Sequence, residues 1–473
     1  MSAYRLPYLR GAAVAVALLL GGFLGWVIIG GHRTILLLIL AVGAVAAALA
    51  APLGLVTQAF VFVSQAFPKA GRFVHSIPID VGVVLSLIVL GRWGYLALTK
   101  VPFPHVRPAR EFRSLMIAWL AWLAFEFLTG VVQHGSFGLL VVEGSALGAA
   151  PLAGYWIASL PEALLGRVLA ISRVALIFIV CFVFLQALLH GHHTAISGLT
   201  VEAGNGLTGY QALYSRNNAT NVGLKMVATY QNGNLLGAYL ALAAPLVLLV
   251  RHVRWRIVLF AAVLLAALLT LSRGAWISTA ASFFILAALS RTDRWPAYAI
   301  AVLGPLILLS SRFSARLGHS FTTLSGRTQM YAVLWSGMTD HITPAKLLHW
   351  IIGWGLAGGP HLVNGGILPT IDSSLGWTYI CTGLVGVGLY ASMIILVVRK
   401  ACGNRLGCIL SAGMLGTLVF EAIDGQLFYV PTAWNFWLFA GLALASARFV
   451  GAQVATAVNA AGASSRGESG ANN

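Results

Sequence analysis

Long apolar segments recur from one end of the sequence to the other, and they constrain the fold more than any other feature. Each is close to the roughly 20 residues that an α-helix needs to cross a bilayer. Of the 473 residues, 59% are hydrophobic and 9% are charged, whereas a soluble domain carries about 25% charged residues. The chain is therefore predicted to be an all-α, polytopic membrane protein.

The apolar segments divide into about 12–14 predicted transmembrane helices. They lie near residues 11–30, 34–51, 52–67, 79–98, 114–132, 137–158, 165–189, 232–250, 256–272, 274–290, 296–311, 374–398, 406–421 and 433–450. With the amino terminus in the cytoplasm, nearly every basic cluster in a short connection falls on the cytoplasmic side, as the positive-inside rule requires. Residues 1–450 thus form one predicted membrane domain, and the small, polar residues 451–473 are predicted to be a disordered cytoplasmic tail.

This orientation places two long connections, residues 190–231 and 312–373, on the outer side of the membrane. The second is the longest in the chain, and it carries Arg312, Arg316 and Arg327 on the side where positive charge is disfavoured. Long connections within a compact protein are usually functional. We therefore expect these two loops to form an active-site face.

Basic residues dominate the charge of the chain. The net charge is +17, and 24 of the 29 basic residues are arginine. They are dispersed among the connections between apolar segments, which argues against a nucleic-acid-binding protein. Some must set the topology, and others are candidates for holding an anionic substrate, because the planar guanidinium group pairs well with phosphate.

The stretch "LTLSRGAWIS", residues 270–279, places Arg273 at the junction of two apolar segments. In one interpretation the side chain only marks a helix end and extends to the lipid headgroups. In the other, Arg273 binds a phosphate. Gly274 would then allow close approach of the backbone, and the start of the next helix would offer free N–H groups to the anion.

A second polar cluster lies in "GLKMVATYQNGNLLGAYLALAAPL", residues 223–246. Lys225 precedes Asn232 and Asn234 at the start of an apolar segment. The asparagines are typical of a helix N-cap, but Lys225 is also a candidate phosphate ligand. Arg216, a few residues earlier in the chain, is another.

The acidic residues of the outer connections supply candidate general bases. Asp372 stands just before an apolar segment, where it is either a proton acceptor or a helix cap. His361 is the rival base, unless it is a loop histidine without a role. Glu126 and Glu143 fall within or near predicted spans, where carboxyl groups are functional candidates. Glu421, at an outer helix end, could help to shape a cavity.

The order of these motifs resembles the bacterial O-antigen polymerase and O-antigen ligase superfamily. The matching features are the asparagine-containing helix start, "SRGAW" between two spans, and a long outer loop with "SGRTQMYAVLW" (325–335) and "GWG" (353–355). A span with "GLVGVGLY" (383–390) follows. The resemblance covers roughly residues 210–395. It implies a GT-C-like glycosyltransferase architecture and a glycan donor linked to polyprenyl pyrophosphate at the periplasmic face of the inner membrane.

The resemblance also assigns roles to particular residues. Arg273 matches the "SRG" arginine and Arg327 matches the "GR" arginine, both of which are expected to bind the pyrophosphate. Lys225 stands where the family often has an arginine. Residues 371–374, "IDSS", replace the histidine–asparagine pair common in ligases, which favours a polymerase, while His361 keeps a ligase possible.

We therefore expect an enzyme that polymerises lipid-linked repeat units of O-antigen or exopolysaccharide by direct, inverting displacement. Cationic side chains would stabilise the departing pyrophosphate, and a carboxylate or imidazole would take the proton of the acceptor hydroxyl. The sequence suggests no cluster of metal ligands, so neither a metal nor another cofactor is expected. The expected partners are the donor, a glycan or lipid A core acceptor and membrane lipids, with a chain-length regulator as a further candidate.

Two alternatives stay open at this stage. One is a ligase or protein O-oligosaccharyltransferase of the same superfamily. The other is a transporter or flippase for the lipid-linked glycan, which would predict charges along a path through several spans and an internal repeat. The sequence has no evident repeat, and its unusual basic residues gather on one predicted face.

Overall fold

The computed structural model is predominantly helical. It describes residues 43, 45–68, 71–74, 77–99, 106, 108–133, 137–189, 219–220, 223–230, 232–308, 343–357, 374–422 and 432–448. Within these residues, four helices are long and apolar enough to cross a membrane: Arg110–Val132, Phe137–Ala158, Glu162–Leu188 and Ser374–Ala401. The fold is thus that of an α-helical membrane protein.

The first half of the described chain contains five labelled helices and one short hairpin. The elements are α1 (Leu53–Ala66), β1 (Gly71–Val74), β2 (Ile77–Asp80), α2 (Val81–Leu98), α3 (Arg110–Val132), α4 (Phe137–Ala158) and α5 (Glu162–Leu188). Residues 45–50 are also helical, and α4 contains one π-helical turn at Ser145–Ala149.

The second half carries the longest described stretch, 232–308, and the predicted site residues that the structure describes: Lys225, Asn232, Asn234 and Arg273. The elements are β3 (Ala219–Thr220), β4 (Gly223–Leu224), α6 (Gly233–Leu249), α7 (Val253–Leu269), α8 (Arg273–Leu289), α9 (Trp295–Leu308), α10 (Pro344–Ile352), α11 (Ser374–Ala401), α12 (Arg405–Glu421) and α13 (432–448). The last six residues of α6, Ala244–Leu249, form a 3₁₀ helix.

The predicted helical segments from 52–67 onward are confirmed, with ends shifted by a few residues. The predicted all-α fold class is confirmed in the described residues, where strands are limited to two short antiparallel ladders, β1 with β2 and β3 with β4. These ladders lie in connections between helices, where pairing satisfies backbone groups that no helix can satisfy. The predicted span 11–30 lies outside the described residues.

Helix α6 forms the centre of the bundle. Nearly every residue of its α-helical part is buried, as expected for a helix that is apolar on all sides. Gly237 leaves no room for a Cβ beside Ala275 of α8, so the two helices touch along their backbones. Small residues allow this close approach between membrane helices.

The relative directions of α6, α8 and α12 follow from their contacts. Gly237 lies against Ala275 near the two helix starts, and further along the Ser282 hydroxyl donates to the Ala241 carbonyl. Helices α6 and α8 therefore run parallel with their amino ends side by side. Gly274 at the start of α8 lies against Phe420 at the end of α12, so α12 is antiparallel to both. The predicted topology has the same relative directions. Which end faces the periplasm stays a prediction.

Candidate functional site

Two helix amino ends lie next to each other at one end of the bundle, which we call the Arg273 end. The Ser272 hydroxyl caps α8 by accepting a hydrogen bond from the Ala275 backbone N–H at 3.4 Å. The Asn232 side chain caps α6 by accepting one from the Leu235 N–H at 2.8 Å. Because α6 and α8 are parallel, the positive ends of two helix dipoles point in the same direction. Such ends are suited to anion binding.

Lys225 is held beside these two amino ends. It is only 4% exposed, and its ammonium group donates a hydrogen bond to Asn234 Oδ1 at 3.2 Å. The backbone N–H of Met226 donates to the Leu269 carbonyl at 3.0 Å, which fixes the segment 225–230 against the end of α7. The structure therefore brings together Lys225 and Asn234, both predicted site residues, next to the turn that precedes Arg273.

Arg273 is the first residue of α8 and is half-buried. The neighbouring Gly274 has a packing role that the sequence did not suggest. Its α-carbon faces the ring of Phe420, where a Cβ would have no room. Gly274 thus serves the packing of α8 on α12, while Arg273 occupies the end of the helix.

The backbone at the Arg273 end is strained. Within the described residues, three non-glycine residues have a positive φ: Ala228 (47°), Leu271 (48°) and Ala357 (59°). Ala228 belongs to the segment that carries Lys225, and Leu271 lies two residues before Arg273. Side chains disfavour this region of conformational space, and such residues cluster at functional sites.

A buried carboxyl group lies close to the start of α8. Glu421 is fully buried and accepts a hydrogen bond from the Ser374 hydroxyl at 2.7 Å. It follows Phe420, whose ring packs on Gly274. The position of Glu421 near a helix end was apparent from the sequence, but its partner was not, because 47 residues separate the two and no motif links them.

Glu143, which lies in a predicted membrane span, has a set of donors that also escaped the sequence analysis. Its oxygens accept hydrogen bonds from the Ala357 N–H at 2.5 Å and the Trp377 indole N–H at 2.8 Å. The Cys381 thiol donates to the same carboxyl group at 3.6 Å. Glu143 thereby joins α4, α11 and the segment 353–357.

Glu126 is placed differently, although it is also fully buried. Its backbone carbonyl accepts a hydrogen bond from the Leu356 N–H at 3.0 Å. Its two carboxyl oxygens are buried without a hydrogen-bond partner among the described residues. Both carboxyl groups thus lie where the segment 353–357 meets the membrane helices.

Several predicted site residues fall outside the part of the chain that the structure describes. They are Arg216, Arg312, Arg316, Arg327, His361 and Asp372. Among the described residues, no three His, Cys, Asp or Glu side chains form a group that could hold a metal ion. Metal independence and the identity of the base stay predictions.

No protein-family model matches this sequence, and no curated protein sequence matches it significantly. The resemblance to the O-antigen polymerase and ligase superfamily therefore rests on the motifs alone.

Proposed function

We propose that the chain is an inner-membrane glycosyltransferase that polymerises oligosaccharide repeat units carried on polyprenyl pyrophosphate. One observation carries the proposal. Two cationic side chains, Lys225 and Arg273, lie at an end of the bundle where two parallel helices begin. Cationic side chains beside helix amino ends, which carry partial positive charge, form a favourable environment for an anion.

Pyrophosphate has the chemistry that this arrangement would recognise. In the proposed reaction, the bond between the anomeric carbon and the phosphate oxygen breaks as the acceptor hydroxyl forms a new bond to the same carbon. The configuration at that carbon is inverted, and pyrophosphate leaves with the bonding electron pair. Arg273 and Lys225, with Arg327, would stabilise the developing charge. The proton of the hydroxyl would pass to Asp372 or His361.

The finer architecture belongs to the same proposal. It comprises about 12–14 transmembrane helices, a GT-C-like arrangement, and a periplasmic active-site face formed by 190–231 and 312–373. Further substrate contacts are proposed for Asn232, Asn234, Arg216, Arg312 and Arg316. The Asn232 cap and the Asn234–Lys225 hydrogen bond support part of this set, since they keep polar groups next to the two helix amino ends.

The test is an assay of the purified protein in proteoliposomes with a repeat unit linked to polyprenyl pyrophosphate. A polymerase should produce a ladder of products that differ by one repeat unit. A single transfer to added lipid A core, without a ladder, would replace the proposal by a ligase. Movement of donor across the bilayer without a new glycosidic bond would indicate a flippase and contradict the proposal.

The same assay with EDTA tests the absence of a metal from the mechanism. Turnover should be unchanged, because the cations of the site are side chains. Loss of turnover that a divalent ion restores would contradict direct displacement assisted by arginine and lysine alone.

A further inference from the structure

Helix α10 (Pro344–Ile352) lies within the connection predicted to be outside the membrane, yet one of its faces is apolar and exposed. Leu347, Leu348 and Ile351 are 44%, 53% and 49% exposed. Large apolar side chains grouped on one exposed face are unusual in water and generally mark an interaction surface. The question is what covers this face.

The segment after α10 is inserted into a break in helix α11. Gly383 has φ 63° and ψ −171°, so the helix is interrupted there. The Trp354 backbone N–H donates to the Ile380 carbonyl at 2.9 Å, and the Trp122 indole N–H donates to the Thr382 carbonyl at 2.9 Å. Donors from outside the helix thus satisfy carbonyls at the break. Non-helical backbone at membrane depth is tolerated only when it is buried in this way or lines a water-filled cavity.

The break lies well inside the expected hydrocarbon layer. Helix α11 has 28 residues. At a rise of ~1.5 Å per residue it is ~42 Å long, and Gly383 lies ~14 Å from its start at Ser374. A hydrocarbon core of ~30 Å centred on this helix begins ~6 Å from each end. The break is therefore ~8 Å below the surface of the core.

The contact of the segment 353–357 with helix α3 indicates a similar depth in the membrane. The Leu356 N–H binds the carbonyl of Glu126, which lies ~9 Å before the end of α3 at Val132. The segment 353–357 therefore meets two candidate membrane-spanning helices, both below their ends on the Arg273 side. An adjoining helix with an apolar exposed face is then placed at the level of lipid chains.

We propose that residues 344–357 form a re-entrant element that enters the leaflet on the Arg273 side. The exposed face of α10 contacts lipid acyl chains, and the segment 353–357 fills the break in α11. The occupant is lipid because the segment 353–357 meets α3 and α11 at this depth, and both helices also expose apolar side chains, including Leu128 (63% exposed) and Leu384 (59%). Part of the predicted outer loop 312–373 is then in the membrane. The inference does not depend on the proposed enzymatic function.

The test measures the surroundings of a probe on α10 in the full-length protein. Leu348→Cys is labelled with an environment-sensitive fluorophore after reconstitution into lipid nanodiscs. Quenching by nitroxide groups on lipid acyl chains is compared with quenching by iodide in water. The background keeps Cys381, which is fully buried, and replaces the other three cysteines by alanine: Cys181, Cys402 and Cys408.

Two matched positions calibrate the measurement. Leu128→Cys on α3 should report lipid, and Gly403→Cys, exposed in the turn between α11 and α12, should report water. We expect the probe at position 348 to behave like that at 128. If it is quenched by iodide like the probe at 403, with no effect of the lipid nitroxides, α10 lies in water and the proposal is wrong. If Leu348→Cys does not fold, Leu347→Cys on the same face gives the same decision.

Discussion

Arg405 and Arg273 occupy equivalent positions at opposite ends of the bundle. Each is the first residue of a helix, and each follows a polar N-cap residue, Asn404 or Ser272. Arg405 donates to the carboxylate of Asp293 at 2.8 and 2.9 Å and to the Leu248 carbonyl at 3.2 Å. At that end the protein itself supplies the anion for an arginine placed on a helix amino end.

Other arginines at the Arg405 end have structural roles that agree with the helix dipole. Arg256 donates to the carbonyl of Val250, just beyond the end of α6. Arg448 donates to the Leu160 carbonyl beyond α4, and Arg92 to the Ala51 carbonyl beyond helical residues 45–50. A cation at a carbonyl end is favourable, whereas Arg273 and Lys225 lie at amino ends. In the proposed function, Arg273 and Lys225 hold the anionic donor, whereas the arginines at carbonyl ends stabilise the fold.

Substitution of Arg273 and Arg405 by alanine, one at a time, is the strongest test of the different roles proposed for the two arginines. Arg273→Ala should reduce turnover of the lipid-linked donor by about a hundred- to a thousand-fold, because loss of one charge-stabilising group costs roughly 2.7–4 kcal/mol. Arg405→Ala should lower the midpoint of thermal unfolding and leave turnover per folded molecule nearly unchanged. Both quantities are measured on the same purified preparations.

Normal turnover by Arg273→Ala would contradict the proposed difference in role between Arg273 and Arg405. If Arg273→Ala turns over donor normally, Arg273 is a helix-end residue like those at the other end. Arg273→Lys serves as the intermediate case. It should recover only part of the activity, because an ammonium group replaces a two-pronged donor.

Lys225 should show the next largest effect. Lys225→Met preserves much of the side-chain volume and removes the charge. Loss of a charged hydrogen-bonding group costs about 1.5–3 kcal/mol, or roughly a 10- to 150-fold loss of turnover. Lys225→Arg should keep most of the activity, since it restores the residue type that the resemblance leads us to expect. Normal turnover by Lys225→Met would exclude Lys225 from the anion site.

At the Arg273 end, the sequence predicts those features that depend on neighbouring residues, and it does not predict contacts between residues that are far apart in the chain. The helices, the Asn232 cap and the Arg273 helix start depend on neighbouring residues, and their positions were predicted. Contacts such as Ser374–Glu421 and Glu143–Trp377 join residues that are far apart in the chain. They arise from helix packing, which apolar periodicity does not specify. The insertion of 353–357 into α11 is equally non-local, and the sequence showed only its glycines.

Glu143 tests how firmly that inserted segment is held. In Glu143→Gln, an NH₂ group must face a donor, either the Ala357 N–H or the Trp377 indole N–H. A buried mismatch of this kind costs about 1–3 kcal/mol. We expect a lower thermal unfolding midpoint and faster reaction of the buried Cys381 thiol with a thiol reagent. The exposed Glu162→Gln is the matched control. Equal behaviour of the two variants would show that Glu143 does not hold the segment.

Asp293 should give the smallest effect, and one that depends on pH. Burial acts to raise the pKa of Asp293, but the hydrogen bonds and charge of Arg405, together with hydrogen bonds from Thr292 and Ser290, outweigh it, so the pKa lies below its ordinary value. A lowered pKa stabilises the fold above the unfolded-state pKa of about 3.9, and the stabilisation is lost as pH falls through the folded-state pKa.

Asp293→Asn should therefore cost stability at pH 7, and the difference from the wild-type protein should shrink as the pH falls below about 4. Because the Arg405 side chain is 46% exposed, we expect only about 1–2 kcal/mol at pH 7. Thermal unfolding in detergent from neutral to acidic pH provides the measurement.

Glu111→Gln is the control, since the Glu111–Lys400 pair at 3.4 Å is solvent-exposed and such pairs contribute little. A difference between Asp293→Asn and wild type that stays constant with pH would mean that Arg405 does not lower the pKa of Asp293. Arg405 would then no longer serve as the example of a helix-start arginine that is paired with a carboxylate of the protein.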